Sequence, residues 1–450
     1  MLYRKISSKI EAHLTSDSDK IMIVEGARQV GKSYIVRYVG ERTFKNFVEI
    51  NFARDEEGPQ LFKNLKTTEE LYMALSAIEG EKLKNYENTL VFLDEIQTYP
   101  QYLTLLKFLR EERKYHFIAS GSLLGVALRQ TTSIPIGSII REQMYPLDFE
   151  EYLIANGVGT DVISFMHERF NSLQSLSIEM HELIMSHYRR YLLVGGLPDA
   201  VNAYLETRNI LNVRNVHNDI HNLYGVDASR YEREFSRKLL IRTIYDMIPS
   251  RMENIKKRFV FKDIQGMEKD RYSRYENEFE YLVASGITLS VKAVSNPVYP
   301  LEESVNKNLF KLYLNDVGLM TSQLYSTNIQ PIIEDHAGIN LGSVYENVVA
   351  QELKAHGLKL FYYDNRKRGE VDFLINDYED LSLLPIEVKS GKDYKRHIAL
   401  SNLLSVKDYG IKRGVVLSNN REIETKNNII YMSVYFSMFL GLPNLQQIIF

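Results

Sequence analysis

An apolar segment that passes directly into a glycine-bearing loop is the feature that most constrains the fold of this chain. The run Ile21–Glu25 leads into Gly26-Ala27-Arg28-Gln29-Val30-Gly31-Lys32-Ser33, and a helical pattern follows from Tyr34 to Val39. This order of strand, G-x-x-x-x-G-K-[ST] and helix is typical of a phosphate-binding loop, whose N–H groups point at phosphate oxygens. The alternative is a glycine-bearing strand-to-helix turn that matches by accident.

The loop predicts a Mg-ATP site. We expect Lys32 to neutralise the β- and γ-phosphates and to act in catalysis, and Ser33 to bind Mg²⁺. The residues expected to contact the nucleotide are Gly26, Ala27, Arg28, Gln29, Val30, Gly31, Lys32, Ser33 and Tyr34.

A second apolar run, Thr89–Leu93, ends in the paired acids Asp94 and Glu95. We expect Asp94 to contact the nucleotide and hold Mg²⁺ through its water shell, and Glu95 to polarise the attacking water. Two solvated acids at the end of a buried strand are the alternative. The strand predicted between the two motifs, Phe47–Asn51, is typical of the NTPase branch that includes the AAA-type enzymes.

Two weaker elements complete the predicted site. Ser120, at the tip of the apolar run His116–Ala119, is our first choice to sense the γ-phosphate and Ser122 the second, although a plain turn explains both. Arg129 and Arg141 are candidates for an arginine finger, intrinsic or lent by a neighbouring subunit of a homo-oligomer, with surface ion pairs as the alternative.

The length, composition and charge of the chain limit these predictions. Its 450 residues predict two to four domains, and its hydrophobic fraction of 44% is that of a soluble globular protein. The sequence contains no cysteine, which excludes disulfides and thiol catalysis and favours a reducing cytoplasm. Since no signal-peptide pattern or bilayer-length apolar stretch is evident, we expect a cytoplasmic protein without membrane contact. At a net charge of -3, nucleic acid would have to be bound by local basic patches.

Short strands alternate with helices over the first 150 residues, which predicts an α/β domain with a parallel sheet. From 161 to 224 the pattern is helical and breaks at Gly195-Gly196-Leu197-Pro198. Two strand-like pieces, Ile287–Val294 and Leu309–Leu314, favour a two-stranded wing after helices. The strands predicted beyond Pro331 indicate a small mixed α/β domain.

Two of those strands carry a group of charged side chains. Glu387 and Lys389 project to the same side of the strand Leu384–Val388, because strand side chains alternate. If Asp372, on the strand Glu370–Ile375, faces that side, two carboxylates can hold Mg²⁺ or Mn²⁺ and an ammonium group can stabilise developing charge, as phosphodiester cleavage needs. The alternative is an edge strand with surface ion pairs.

Several motifs resemble a prokaryotic family of AAA-type P-loop ATPases, and the similarity runs nearly the whole length of the chain. They are Arg28–Ser33, Asp94–Gln97, Ser120–Ser122, Tyr145–Glu150 and Gly195–Pro198. The resemblance implies ATP rather than GTP, and a C-terminal domain of unassigned function similar to the PD-(D/E)xK nucleases. It also implies that Pro198 packs near the nucleotide, as in the helical lid of signalling ATPases, although a simple helix break accounts for the residues too.

The resemblance to PD-(D/E)xK nucleases carries over four residues: Glu346, Asp372, Glu387 and Lys389. Of these, Glu346, Asp372 and Glu387 would bind the metal, and Asp372, Glu387 and Lys389 would act in catalysis. For Glu346 the alternative is a capping box with Ser343 at the start of a helix.

The predicted organisation is therefore a P-loop AAA-type domain at 1–155, a helical lid at 156–250, a winged-helix-like domain at 251–330 and a restriction-endonuclease-like domain at 331–450. DNA is the expected partner of the last two. The basic residues that would contact it, unless they are merely solvated, are Arg251, Lys256, Lys257, Arg258, Arg366, Lys367, Arg368, Lys392, Lys395 and Arg396.

The function expected from this organisation is ATP hydrolysis that controls a metal-dependent nuclease. Two alternatives are a signalling or defence switch with a gated nuclease effector, and a non-cleaving module that docks on DNA or protein.

Overall fold

The computed structural model describes residues 1–84, 86–122, 136–227, 234–253, 276–334, 341–391 and 393–442. The chain divides into two compact units, one formed by Met1–Tyr145 with Glu280–Ile287 and the other by Pro146–Phe279 with Thr288–Phe450. Among the described residues, no helix combines the length and apolar character needed to cross a membrane.

The first unit is a parallel sheet with helices. Its strands are β1 (Ile21–Glu25), β2 (Asn46–Asn51), β3 (Thr89–Asp94), β4 (His116–Gly121) and β5 (Ile139–Gln143). Its helices are α1 (Lys5–Leu14), α2 (Lys32–Thr43), α3 (Phe52–Glu57), α4 (Thr68–Glu79) and α5 (Gln101–Glu112).

The sheet has the order β2-β3-β4-β1-β5, and all its strand pairs are parallel. Every residue of β3 is buried, as expected where helices cover both faces of a parallel sheet. The four predicted strands are present. The prediction omitted β5, whose polar sequence and alternating burial are those of an edge strand. This order brings the carboxyl ends of β1, β3 and β4 to one edge, where ligands bind in open α/β sheets.

The second unit combines helices with a mixed sheet of eight strands. Its helices are α6 (Phe149–Ala155), α7 (Thr160–Asn171), α8 (Ile178–Val194), α9 (Pro198–Thr207), α10 (Ile210–Asp227), α11 (Phe235–Met252), α12 (Glu276–Ala284), α13 (Val317–Leu324), α14 (Gln330–Glu334), α15 (Gly342–Ala355) and α16 (Ile398–Leu404). Of these, α12 is divided between the units, because the first unit includes Glu280–Ile287. Its strands are β6 (Thr288–Val294), β7 (Val305–Leu314), β8 (Phe361–Asn365), β9 (Gly369–Asp377), β10 (Ser382–Val388), β11 (Gly414–Ser418), β12 (Glu424–Lys426) and β13 (Ile429–Ser433).

The prediction of a separate two-stranded wing is wrong. The strands β6 and β7 do pair with each other, but β6 also pairs in parallel with β8, so the hairpin forms one end of the sheet β12-β13-β11-β10-β9-β8-β6-β7. A lone hairpin is marginally stable, whereas this one gains a third strand and buries Leu289, Val291 and Ala293. The division of the chain at 155, 250 and 330 stays a prediction.

The glycine-rich break after α8 is a tightly packed turn of the second unit. Gly195 has φ +70°, and the N–H of Gly196 donates to Oδ2 of Asp316 at 2.6 Å. Burial raises the pKa of Asp316 to about 6, although backbone N–H groups of this turn and of α13 oppose the rise. The two glycines are therefore explained by close backbone packing around a buried carboxylate.

The buried helix α15 fixes the end of β7. Asn347 exchanges two hydrogen bonds with the backbone of Leu314, at 3.0 and 3.1 Å, and Gln351 accepts from the N–H of Val317 at 2.9 Å. Each buried backbone group thus has a side-chain partner.

Candidate functional site

The phosphate loop has the backbone that its glycines predict. Gly26 has φ +153°, and a Cβ there would lie 2.2 Å from the carbonyl oxygen of Met144. Gly31, at φ +95°, is the residue directly before α2. Glycine adopts such angles without a steric penalty, so the loop can curl into the N-terminus of α2, the end of a helix that favours an anion.

The charge of Lys32 is held over this loop. Its buried ammonium group donates to the carbonyl oxygens of Gly26 at 3.1 Å and Ala27 at 2.8 Å. The side chain is thus directed at the loop that would carry the phosphates, and its contact with them stays a prediction.

Asp94 is the centre of a hydrogen-bond network. Ser33 Oγ lies 2.9 Å from both carboxylate oxygens, Asn51 donates at 2.7 Å, and Ser120 donates from the end of β4. Burial raises the pKa of this carboxyl, the donors Ser120 and Ser33 oppose the rise, and Glu95 adds to it. Ser33 and Asp94, the two predicted Mg²⁺ residues, therefore touch each other.

Glu95 is oriented by strained backbone and by two neighbours. Its φ of +55° is unfavourable for a residue with a side chain, and such strain concentrates at functional sites. Ser122 Oγ lies 3.2 Å from Oε2 of Glu95, and Gln97 donates both to that oxygen and to Ser122. The half-buried carboxylate is thus held in place beside Asp94, and its role in polarising water stays a prediction.

The other predicted nucleotide residues are less constrained by the structure. Arg141 donates to Glu25 at 2.6 Å, and Arg129 lies outside the described residues, so the arginine finger stays a prediction. Tyr34 is 55% exposed. Pro198 begins α9 in the second unit, where its position favours helix initiation, and its contact with nucleotide stays a prediction.

Arg4 is a buried support of the phosphate loop that sequence reasoning missed. Its guanidinium donates to the carbonyl of Val30 at 2.9 Å and to that of Tyr145 at 2.6 Å. A charged residue just before the helix α1 carries no sequence signal, because solvated arginines are common at such positions.

Replacing Arg4 by alanine is expected to raise the Kd for ATP about tenfold, because the loop loses a charged donor that fixes its backbone. Isothermal titration calorimetry measures this, with Lys9→Ala as the control, since Lys9 is exposed and pairs with Glu142 in the same unit. Equal affinities of the two variants would contradict the supporting role.

The predicted C-terminal residues meet across two antiparallel strands. Ile386 pairs with Phe373, and continuing this register places Asp372 opposite Glu387. Asp372 accepts from the N–H of Val388 at 2.8 Å, and Lys389 donates to Glu387 at 2.7 Å. Burial raises the pKa of Glu387, and Lys389 opposes the rise.

Glu346 reaches this cluster from α15, and its capping-box alternative is wrong. The helix begins at Gly342, so Ser343 lies inside it and donates to Glu253. Glu346 is 3% exposed and accepts from the hydroxyl of Tyr313 at 3.0 Å. The glutamate is therefore placed by tertiary contacts.

Lys311 and Glu370 were missed and belong to the same cluster. The ammonium of Lys311 lies 2.6 Å from Glu370 and 3.8 Å from Glu346. Burial lowers its pKa, but Glu346, Glu370 and Asp372 outweigh this and raise it. The sequence did contain a signal for them, because Lys311 and Tyr313 are two positions apart on one strand and therefore face the same side. The prediction of a wing assigned that strand to another domain.

A divalent cation fits this cluster in charge and ligand type. Oε2 of Glu387 is buried without a hydrogen-bond partner in the described structure, and hard cations prefer carboxylate oxygens. In the described part of the chain, however, no three or more His, Cys, Asp or Glu side chains are grouped to hold a metal. Mg²⁺ typically uses only one or two carboxylates and completes its shell with water and substrate phosphate. The metal role of Glu346, Asp372 and Glu387 stays a prediction.

Basic residues lie at the same edge of the sheet. Because β9 and β10 are antiparallel, the start of β9, after Arg366–Arg368, adjoins the end of β10. The segment 393–398, with exposed Lys395 and Arg396, lines a groove of about 560 Å³ together with Ser401 and Asn402. Asn402 donates to the carbonyl of Arg368 at 3.2 Å, which ties the two basic segments together.

The structure does not bring the remaining predicted DNA-contacting residues together. Arg251 lies in the last turn of α11, whereas Lys256, Lys257, Arg258 and Lys392 lie outside the described residues.

Family comparisons agree with the geometry of the first site. Residues 18–153 match the family model described as an AAA domain. The chain contains a P-loop ATPase domain of the AAA type. Residues 185–330 and 341–436 match two models described as domains of unknown function, DUF8612 and DUF4143. No curated protein matches the chain.

Solved structures provide distant likenesses. The Walker-type ATPase PABY2304 of Pyrococcus abyssi is 14% identical at a TM-score of 0.44, over 72% of this chain and 96% of that one. Cdc6p from Pyrobaculum aerophilum is 14% identical at 0.25, over 74% and 94%. The RuvB Holliday junction branch migration motor of Thermotoga maritima is 12% identical at 0.28, over 64% and 89%.

Proposed function

We propose that this protein is a Mg²⁺-dependent ATPase whose nucleotide state controls a C-terminal metal-dependent nuclease acting on DNA. The network around Asp94 carries the first part. It joins Ser33, from the phosphate loop, to the carboxylate that would hold Mg²⁺, and it places Glu95 next to them. In this assignment Lys32 stabilises the transferred phosphoryl group and Glu95 orients the attacking water.

The nuclease assignment is supported by the cluster on α15, β9 and β10. In it Glu387 and Asp372 would hold Mg²⁺ or Mn²⁺ with the aid of Glu346. The bound cation would supply Lewis-acid activation of the scissile phosphate and of water. Lys389 would stabilise negative charge that develops on the phosphate, since it is 30% exposed and next to Glu387.

DNA as the substrate is supported by the adjoining basic segments. The phosphate backbone supplies most of the affinity of such contacts, and Arg366–Arg368 and Arg396 would provide positive charge at this edge of the sheet, where Lys395 is paired with Glu424 at 2.6 Å. Local basic residues of this kind would let a chain with a net charge of -3 bind a polyanion.

Control by nucleotide is supported by the segment 144–149, which runs from the first unit into the second. At its start, Met144 donates to the carbonyl of Glu25 at 2.7 Å, and Tyr145 accepts from Arg4, which also holds the phosphate loop. Further along, Leu147 donates to Gly196 at 2.7 Å and Phe149 donates to Glu352 at 2.8 Å.

The helix α15 connects that segment to the C-terminal site. It carries both Glu352, which holds Phe149, and Glu346, which lies in the acidic cluster. A displacement of the phosphate loop can thus be passed along the covalent chain to α15. We infer a conformational coupling of this kind, which a two-state change of the segment would provide.

A non-cleaving docking module is the second candidate. It is supported by the two lysines that pair with the carboxylates, and by the described residues containing no group of three or more side chains placed to hold a metal.

Cleavage of single- and double-stranded DNA by the purified full chain, with Mg²⁺ or Mn²⁺ and with or without ATP, tests the proposal. We expect Asp372→Ala to lose at least about 100-fold of the cleavage rate, because one metal-binding carboxylate is removed. We expect Lys32→Ala to change the response to ATP, and Asp408→Ala, an exposed acid of the same unit, to match the unmodified chain.

No cleavage under any condition, with ATP hydrolysis intact, would contradict the nuclease and favour the docking module. Cleavage that is unaffected by ATP and by Lys32→Ala would contradict only the control.

A further inference from the structure

Lys311 is a fully buried lysine whose surroundings are acidic. It lies on β7 with 0% of its side chain exposed, 2.6 Å from Glu370, 3.8 Å from Glu346 and with its ammonium 4.8 Å from the ring centre of Tyr362. A buried ammonium group is costly unless carboxylates compensate it, so its position is fixed by this cluster.

The charges of the cluster do not balance. Its carboxylates are Glu346, Glu370, Asp372 and Glu387, and its ammonium groups are Lys311 and Lys389. Four negative and two positive charges leave a formal charge of -2, which one divalent cation would neutralise. A second divalent cation would leave the cluster with a net positive charge.

The two lysines contact different carboxylates of the cluster. Lys389 pairs with Glu387, the carboxylate whose second oxygen is free for a ligand, whereas Lys311 lies within 4 Å of Glu346 and Glu370. In sites with two metals the ions are roughly 3.5–4 Å apart and share carboxylates. Lys311 thus lies among the carboxylates that a second ion would need.

We propose that the C-terminal site binds a single divalent cation, and that the ammonium group of Lys311 takes the place of a second cation beside Glu346 and Glu370. The inference rests on the proposed metal site and specifies its stoichiometry. Lys311 is a positioning residue here, because it acts on the carboxylates and not on the substrate.

Binding of Mn²⁺ to the nucleotide-free full chain, followed by electron paramagnetic resonance, tests the stoichiometry without relying on activity. The ions bound by the C-terminal site are the difference between the unmodified chain and Asp372→Ala. We expect a difference of about one ion per chain, and one further ion in Lys311→Met, where the positive charge is lost and Glu346 and Glu370 become available. Lys311→Arg, which keeps the charge, is expected to bind as the unmodified chain does.

Glu370→Gln provides a second variant, because Glu370 is 37% exposed and the amide keeps the shape of its side chain. It removes one negative charge and keeps Lys311, so we expect the Mn²⁺ affinity to fall about tenfold. Circular dichroism confirms that each variant is folded. If Lys311→Met does not fold, Lys311→Gln, which also removes the positive charge, replaces it in the count of bound ions.

Two outcomes would overturn the inference in different ways. If the chain and Asp372→Ala bind equal amounts of Mn²⁺, the proposed metal site fails together with it. If they differ by one ion but Lys311→Met binds no further ion, or the difference is already two in the unmodified chain, the metal site stands and the role of Lys311 is refuted.

Discussion

Replacing Glu95 by glutamine is expected to lower kcat for ATP hydrolysis by about 10²–10⁴-fold while the chain still binds ATP. The amide has nearly the same shape as the carboxylate but cannot take a proton or polarise water. The contacts that hold the side chain, from Ser122 and Gln97, involve the carboxylate oxygen Oε2, and a glutamine oxygen can accept one of them. Asp94 and Ser33, which would hold Mg²⁺, are untouched.

Steady-state phosphate release and a separate binding titration with ATP measure the two effects. Glu142→Gln is the matched control, because Glu142 lies on β5 of the same unit and makes an exposed ion pair with Lys9. A rate within a few-fold of this control would remove Glu95 from the role of catalytic base. Loss of ATP binding would show instead that the residue supports the fold of the site.

The nucleotide site was predictable because its chemistry is local in sequence. Gly26 and Gly31 need backbone angles that other residues avoid, and Lys32 and Ser33 follow at fixed offsets. Parallel strands then bring Asp94 and Ser120 to the same edge without further assumptions. The residues that could not be predicted, Arg4 and Asn51, act through contacts 26 and 43 positions away in the chain.

The C-terminal site was only half predictable for a different reason. Asp372, Glu387 and Lys389 lie on two adjacent strands, so alternation alone placed them together. Lys311 lies on β7, the last strand in the order of the sheet. Its burial as a charged residue makes sense only when the nearby carboxylate of Glu346 on α15 is known. The hydrophobic pattern of a hairpin is the same in a wing and at a sheet edge, which is why the domain assignment of β6 and β7 failed.

The two glycines before Pro198 illustrate the same limit. Their sequence context predicts a helix break and resembles a nucleotide-sensing lid, and the structure gives them a packing role. Gly195 is enclosed by Asp316, and Gly196 by Leu147. Packing of this kind requires glycine whether or not a nucleotide is near, so the motif by itself does not decide the function of Pro198.

Replacing Gly196 by alanine is expected to lower the free energy of unfolding of the second unit by about 3 kcal/mol or more. An added Cβ would lie 2.0 Å from the carbonyl oxygen of Leu147 and 2.7 Å from its nitrogen, and both are backbone atoms that cannot rotate away. Leu147 also donates to Gly196 at 2.7 Å, and its carbonyl accepts from the hydroxyl of Tyr191 at 2.5 Å. Moving Leu147 would therefore break buried hydrogen bonds as well.

The midpoint of thermal unfolding of the full chain, with and without nucleotide, measures this effect. Gly391→Ala is the matched control, because a Cβ at Gly391 meets no atom within 4 Å in the same unit. We expect the control to unfold with the unmodified chain and Gly196→Ala to unfold several degrees lower, with the C-terminal transition affected most. If the two variants unfold together, the segment 144–149 can shift at little cost. Its bonds to Gly196 would then be too weak to pass a change in the phosphate loop on to α15, and the proposed control of the C-terminal site would need another route.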